Sequence, residues 1–217
     1  MSQEKIAFVL GNGLSRKPID PHLLKQHGRI YGCNALYRTF APDYLVAVDT
    51  KMIMEIQKTD YAHKHQVWSN PNKLTKADPN LNIFNPNKGW SSGPTALFLA
   101  STHDNAKIYI LGFDYVGIGN NHELVNNIYA GTKNYKNLND RATYHGNWQR
   151  QTASCINQFV RTKYIRVMEE DSYIPDNLVD CKNLKHMSTR IFCKTFGITP
   201  SKSVSYTHLT LPTRLSV

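Results

Sequence analysis

At 217 residues, with 41% hydrophobic and 19% charged residues, the chain is long enough for one domain with a full core and too apolar for chain-long disorder. No run is apolar enough to span a bilayer, and Met1 to Lys5 lack the features of a signal peptide, so the chain reads as cytoplasmic. A net charge of +10 suits an anionic ligand, but the Lys and Arg residues are scattered rather than gathered, which argues against nucleic-acid binding.

The predicted elements alternate. Residues 5–10 form an apolar run ending at Gly11, a buried-strand signal. A loop follows, Gly11-Asn12-Gly13-Leu14-Ser15-Arg16. Asp20 and Pro21 are the N-cap and first residue of a short helix to Gln26. Strands are predicted at 29–33, ending at Asn34, and at 44–48, ending at Asp49. A helical turn through Leu36 and Tyr37 separates them. A helix at 50–58 carries Met52, Ile53 and Ile56 at helical spacing.

Residues 66–68 read as a weak strand. The span 70–88 is rich in Asn, Pro and Lys and reads as a long loop with an edge strand at 82–84. Ser91-Ser92-Gly93 opens a helix through Ala100, and 107–111 is the clearest strand, ending at Gly112-Phe113-Asp114. The polar segment 117–146 is too long for an ordinary connection, which leaves a lid or disorder. A helix at 146–161, a strand at 164–168 and a helix at 183–196 complete the pattern. Alternation of this kind predicts one Rossmann-like α/β domain, with a parallel sheet of five to seven strands, helices on both faces and a lid insert at 117–146.

The cysteines, Cys33, Cys155, Cys181 and Cys193, have no CxxC or zinc-ligand spacing and read as reduced structural thiols. His63 and His65 would share a face of a strand, and a solvated pair is the plainer reading than a metal site. The run Val204 to Thr213 is what a common transposase sequencing adapter encodes in one frame. We therefore expect a natural domain of residues 1–203 and a non-native tail at 204–217.

Ligands of open α/β sheets bind beyond the carboxyl ends of the strands, where this chain carries Gly11-Asn12-Gly13, Asn34, Asp49, Asn70 and Asp114. The glycines permit a tight turn and close approach to a ligand, and Asn12 both donates and accepts; a plain turn would use the same residues. Arg16 stands where a dinucleotide fingerprint has its third glycine, and no GK[ST] follows for a P-loop. Ser91-Ser92-Gly93 combines a hydroxyl, free N–H groups and a helix dipole, features that bind anions, or supplies only an N-cap. Asp49 and Asp114 suit a ribose hydroxyl, a metal or a turn cap. In the insert, His122, Tyr129, Tyr135, Arg141, Tyr144 and His145 could face a substrate. Histidine can serve there as a general base or simply be solvated.

These motifs resemble bacterial sialyltransferases of glycosyltransferase family 42. The resemblance rests on the strand followed by Gly11-Asn12-Gly13-Leu14-Ser15, on Cys33-Asn34-Ala35-Leu36-Tyr37, and on Ser92-Gly93 opening a helix before Gly112-Phe113-Asp114-Tyr115. It spans residues 5–165. It implies a single Rossmann-like domain with a lid, no metal or other cofactor, and a cytidine monophosphate sugar donor held by Asn12, Gly13, Ser15, Asn34, Ser92 and Gly93. It also implies a histidine base after the lid, in a Tyr-x-Gly-His motif. Here the segment is Tyr144-His145-Gly146-Asn147, so Asn147 takes the histidine's place. Either His145 has taken over the role or the base is lost, because asparagine accepts no proton near neutral pH.

The candidate nucleotide site is thus Gly11, Asn12, Gly13, Ser15, Asn34, Ser92, Gly93 and Asp114. The candidate base is His145, whose pKa the following helix N-terminus would lower. The expected partners are a nucleotide or nucleotide sugar and a glycan or other hydroxyl acceptor. A non-catalytic nucleotide-binding module fits the same motifs.

Overall fold

The computed structural model describes residues 4–201. The expected boundary at 203 and the adapter-like tail lie outside the described residues. Eight strands form one fully parallel sheet: β1 (Ile6–Leu10), β2 (Arg29–Cys33), β3 (Tyr44–Val46), β4 (Gln66–Ser69), β5 (Leu81–Ile83), β6 (Lys107–Leu111), β7 (Lys163–Met168) and β8 (Leu184–Ser188). Their order is β5-β4-β3-β2-β1-β6-β7-β8. The chain walks outward from β1 to β5, returns to lay β6 beside β1, and walks outward the other way. The order reverses between β1 and β6, so the crevice beyond their carboxyl ends is where such a fold accommodates a ligand.

Alternation along each strand sorts the core into two layers. Phe8 and Leu10 of β1 face α1 (Thr50–Ile56) and α7 (Thr189–Phe196), packing with Met52, Ile53, Ile56 and Phe192. Ala7 and Val9 face α4 (Ser92–Thr102), α5 (Gly146–Gln158) and α6 (Asp176–Val179), packing with Ala96, Leu97, Ala100, Ile156 and Leu178. Helices on both faces make this a doubly wound, Rossmann-like α/β domain. No helix among the described residues is long and apolar enough to cross a membrane.

The structure corrects several expectations. The sheet has eight strands rather than five to seven. Residues 183–196 are strand β8 and then α7, with Ser188 capping the helix through the Ile191 N–H. Leu184–Ser188 is a half-solvated edge strand with no apolar run to announce it. The loop at 70–88 holds a one-turn helix, α3 (Lys73–Lys76), fixed by a capping box between Asn72 and Thr75. The segment Pro21–Leu24 is a 3-10 turn, with Asp20 capping it as expected. His63 sits on the one-turn helix α2 (Tyr61–Lys64), not on a strand with His65. All four cysteines are buried and unpaired.

Segment 117–145 contains no helix and only isolated bridges, Ile118 to Leu124 and Leu124 to Arg141. It is nonetheless tied to the carboxyl edge of the sheet. The Ile128 N–H donates to the Asn12 carbonyl at 2.8 Å, and Asn126 Oδ1 accepts from the Leu14 N–H at 2.8 Å. Arg38 donates to Thr132 Oγ1 and to the Lys133 carbonyl while its guanidinium pairs with Glu55. The insert thus forms a wall over the strand ends.

Candidate functional site

The loop after β1 continues the β1–β6 ladder. The Gly11 N–H donates to the Leu111 carbonyl at 2.8 Å and the Gly13 N–H to the Gly112 carbonyl at 2.9 Å. This brings the two backbones so close that a Cβ on Gly11 would stand 2.5 Å from the Gly112 oxygen. A Cβ on Gly13 would stand 2.5 Å from the Asp114 carboxylate. Gly11→Ala meets rigid backbone and is expected to cost about 1–3 kcal/mol, the range for overpacking. Urea unfolding measures it, and an unchanged midpoint would show that the loop can retreat at no cost.

Between the glycines, Asn12 is 9% exposed. Its Nδ2 donates to the Cys33 carbonyl and to the Tyr135 hydroxyl, at 3.5 and 3.4 Å. Its Oδ1 is buried without a partner, and so is Oδ1 of Asn34. Asn34 opens a 3-10 turn (Asn34–Arg38) after β2 with φ 52°, a left-handed conformation that asparagine tolerates better than most residues. Buried carbonyl oxygens in folded proteins are nearly always satisfied. Both of these line one cavity of about 460 Å³ beyond β1 and β6, together with Gly11, Gly13, Ser92, Gly93 and Asp114. Two unsatisfied acceptors therefore sit in the cavity wall, both oxygens closed off from solvent.

The opposite polarity comes from α4. Ser91 is its N-cap but makes no side-chain cap bond, and no acidic residue sits in its first turn. The Ser91 N–H donates to Gln151, and the Ser92 hydroxyl accepts from the Val48 N–H at 3.1 Å, tying α4 to the end of β3. First-turn N–H groups have no partner within a helix and carry the positive end of its dipole. Ser91, Ser92 and Gly93 all line the cavity, so α4 presents an anion-favouring terminus to it.

Asp114 accepts from the Ser15 N–H at 3.1 Å and from the Ser15 hydroxyl. Ser15 is absent from the cavity wall and acts as a brace on Asp114 instead. Asp49 caps α1 without a side-chain bond and borders the cavity. It is open to solvent at the mouth, yet the protein crowded around it pushes its carboxyl above the ordinary range.

His145 is the N-cap of α5 and stands edge-to-face against Trp148, with ring centroids 5.1 Å apart. Burial lowers its pKa from the ordinary 6.5, opposed by the charge of Asp114. Desolvation is the largest cause of this direction, which is the direction that the sequence leads one to expect. Asn147 also lines the cavity, its Oδ1 accepting from Arg150.

A second cavity of about 480 Å³ adjoins the first and shares seven lining residues with it, among them Asn34, Asp49, His145 and Trp148. Tyr144 borders the first cavity and Tyr135 the second, whereas His122, Tyr129 and Arg141 border neither. Asn126, Asn127, Thr143 and Trp148 are lining residues that the sequence reading does not single out. The Asn126-Asn127 pair inside a polar insert is the one local signal that could have marked them. No group of three metal-ligating side chains occurs among the described residues. Compared with protein-family models, curated proteins and solved structures, the chain matches none.

Proposed function

We propose that the chain is a glycosyltransferase that binds a cytidine monophosphate type of sugar donor and passes the sugar to a hydroxyl acceptor. The supporting observation is the pairing of opposite polarities in one cavity at the sheet's switch point. The unpartnered Asn12 and Asn34 carbonyls suit the amino and hydroxyl groups of a nucleoside, and the α4 terminus suits its phosphate. The motif resemblance supplies the choice of cytidine and of transfer chemistry.

In this reading the acceptor hydroxyl gives its proton to the His145 imidazole. The oxygen attacks the anomeric carbon, the bond from that carbon to the phosphate oxygen breaks, and the nucleoside monophosphate leaves. The α4 N–H groups stabilise the charge that develops on the departing phosphate.

Cytidine monophosphate is expected to raise the melting temperature of the protein through binding to the folded state. Asn12→Ala and Ser92→Ala should each weaken that binding about tenfold or more, the scale of losing one hydrogen bond to a charged or buried partner. Equal affinity in both variants and the parent would place the nucleotide elsewhere. A second reading, a nucleotide-binding module without transfer activity, draws on Asn147 in the family histidine's place. Donor binding with no transfer or donor hydrolysis under any acceptor would select it.

A further inference from the structure

The second cavity differs from the first in charge. Its walls come from α1 and from the insert, and each contributes a lysine: Lys51 from α1 and Lys136 from the insert. Both are exposed, and neither takes part in an ion pair among the described residues. Lys136 Nζ donates only to the Arg141 carbonyl, at 3.0 Å. Asn134 fastens the two walls together by donating to the Lys51 carbonyl at 3.4 Å and to Glu55 Oε2 at 2.6 Å. The one carboxylate on the wall, Asp49, also lines the first cavity.

We propose that this second cavity is the acceptor subsite, and that it takes an acceptor bearing a phosphate group, held between Lys51 and Lys136. The inference rests on reading the first cavity as the donor site. Two uncompensated ammonium groups in one concavity attract an anion. A phosphate monoester carries about −1.5 to −2 charge near neutral pH against −1 for a carboxylate, so it is the better match for two ammonium groups, and the Thr50 hydroxyl on the same wall adds a donor. A phosphate held there leaves the rest of the acceptor to reach the shared wall, where His145 meets a hydroxyl facing the donor cavity.

Three matched hexoses test the assignment by calorimetry on protein saturated with cytidine monophosphate: glucose 6-phosphate, glucuronate and glucose. Glucose 6-phosphate is expected to bind the nucleotide-loaded protein, and glucose and glucuronate to bind at least tenfold more weakly. Lys51→Ala/Lys136→Ala should weaken glucose 6-phosphate about tenfold or more while leaving the nucleotide affinity and the melting temperature unchanged. Binding of glucose 6-phosphate that the nucleotide displaces would put the phosphate in the first cavity and overturn the proposal. Equal binding of glucuronate, or indifference to the double substitution, would overturn it as well. Should the nucleotide itself not bind, the donor reading fails separately. The same titration without nucleotide then decides: loss in the lysine variant but not in Asn12→Ala upholds an anion subsite here, and the reverse pattern removes it.

Discussion

Replacing His145 with alanine is expected to cut sugar transfer by about 10²–10⁴-fold, the usual contribution of a positioned general base, and to leave cytidine nucleotide affinity nearly intact. The expectation follows from placement. His145 lies on the wall common to both cavities, and Trp148 stands edge-on to its ring, whereas the unpartnered side-chain carbonyls belong to Asn12 and Asn34. A drop in kcat without a matching rise in the nucleotide's Kd is the signature of a group acting in the transition state alone. The pH dependence has a definite sign. Burial disfavours the imidazolium, so the base stays unprotonated below the ordinary 6.5. Activity should hold as pH falls through that value and decline only on approaching the lowered pKa. The unfolded chain meanwhile binds the proton that the folded imidazole refuses, so His145 removes stability over the same acid window. Equal turnover in His145→Ala and the parent would exclude the residue from the mechanism.

Where sequence and structure agree, the reason is local. β1, β2 and β6 are largely buried on both faces, so each reads as a mainly apolar run, and each stops at a small or polar residue. The strand ends thereby disclose Gly11, Asn12, Gly13, Asn34 and Asp114 before any fold is known, because a parallel sheet directs its ligands to that edge. The sequence is silent where neighbours are remote. Asn126 joins the site by accepting from the Leu14 N–H, across 112 positions of chain, and no periodicity encodes such a meeting. Lys51 and Lys136 look like ordinary solvated charges until the insert folds back on α1. β8 escapes notice because an edge strand keeps its polar side chains in water. Ser15 follows a motif faithfully and still stands behind the site, bracing Asp114.

Arg166 is the sharpest instance of a residue whose role a strand pattern hides, and its replacement should have the largest effect on stability. It sits in β7, opposite Ile110 of β6, with 2% of its surface exposed. Among the described residues no carboxylate pairs with it, and burial pulls its pKa down. Its charge is solvated by backbone instead. Nε donates to the Phe113 carbonyl at 3.0 Å, Nη1 to Tyr173 at 2.9 Å and Nη2 to Asp114 at 3.3 Å, while the guanidinium lies 5.0 Å from the Tyr115 ring centre. Three carbonyls, two of them on the loop that carries Asp114 into the cavity, depend on this one side chain. Arg166→Ala removes their donors and leaves a void, and should cost about 3–5 kcal/mol, between the truncation and lost-hydrogen-bond scales. That is a fall in Tm of roughly 6–20 °C for a domain of this size. Arg166→Met separates the two causes, since it restores most of the volume and none of the donors. If the hydrogen bonds pin the loop, the Met variant should stay destabilised and should also bind cytidine monophosphate more weakly, because Asp114 and the first cavity lose their fixed geometry. A Met variant as stable as the parent, with parental nucleotide affinity, would show that the buried arginine fills space and positions nothing.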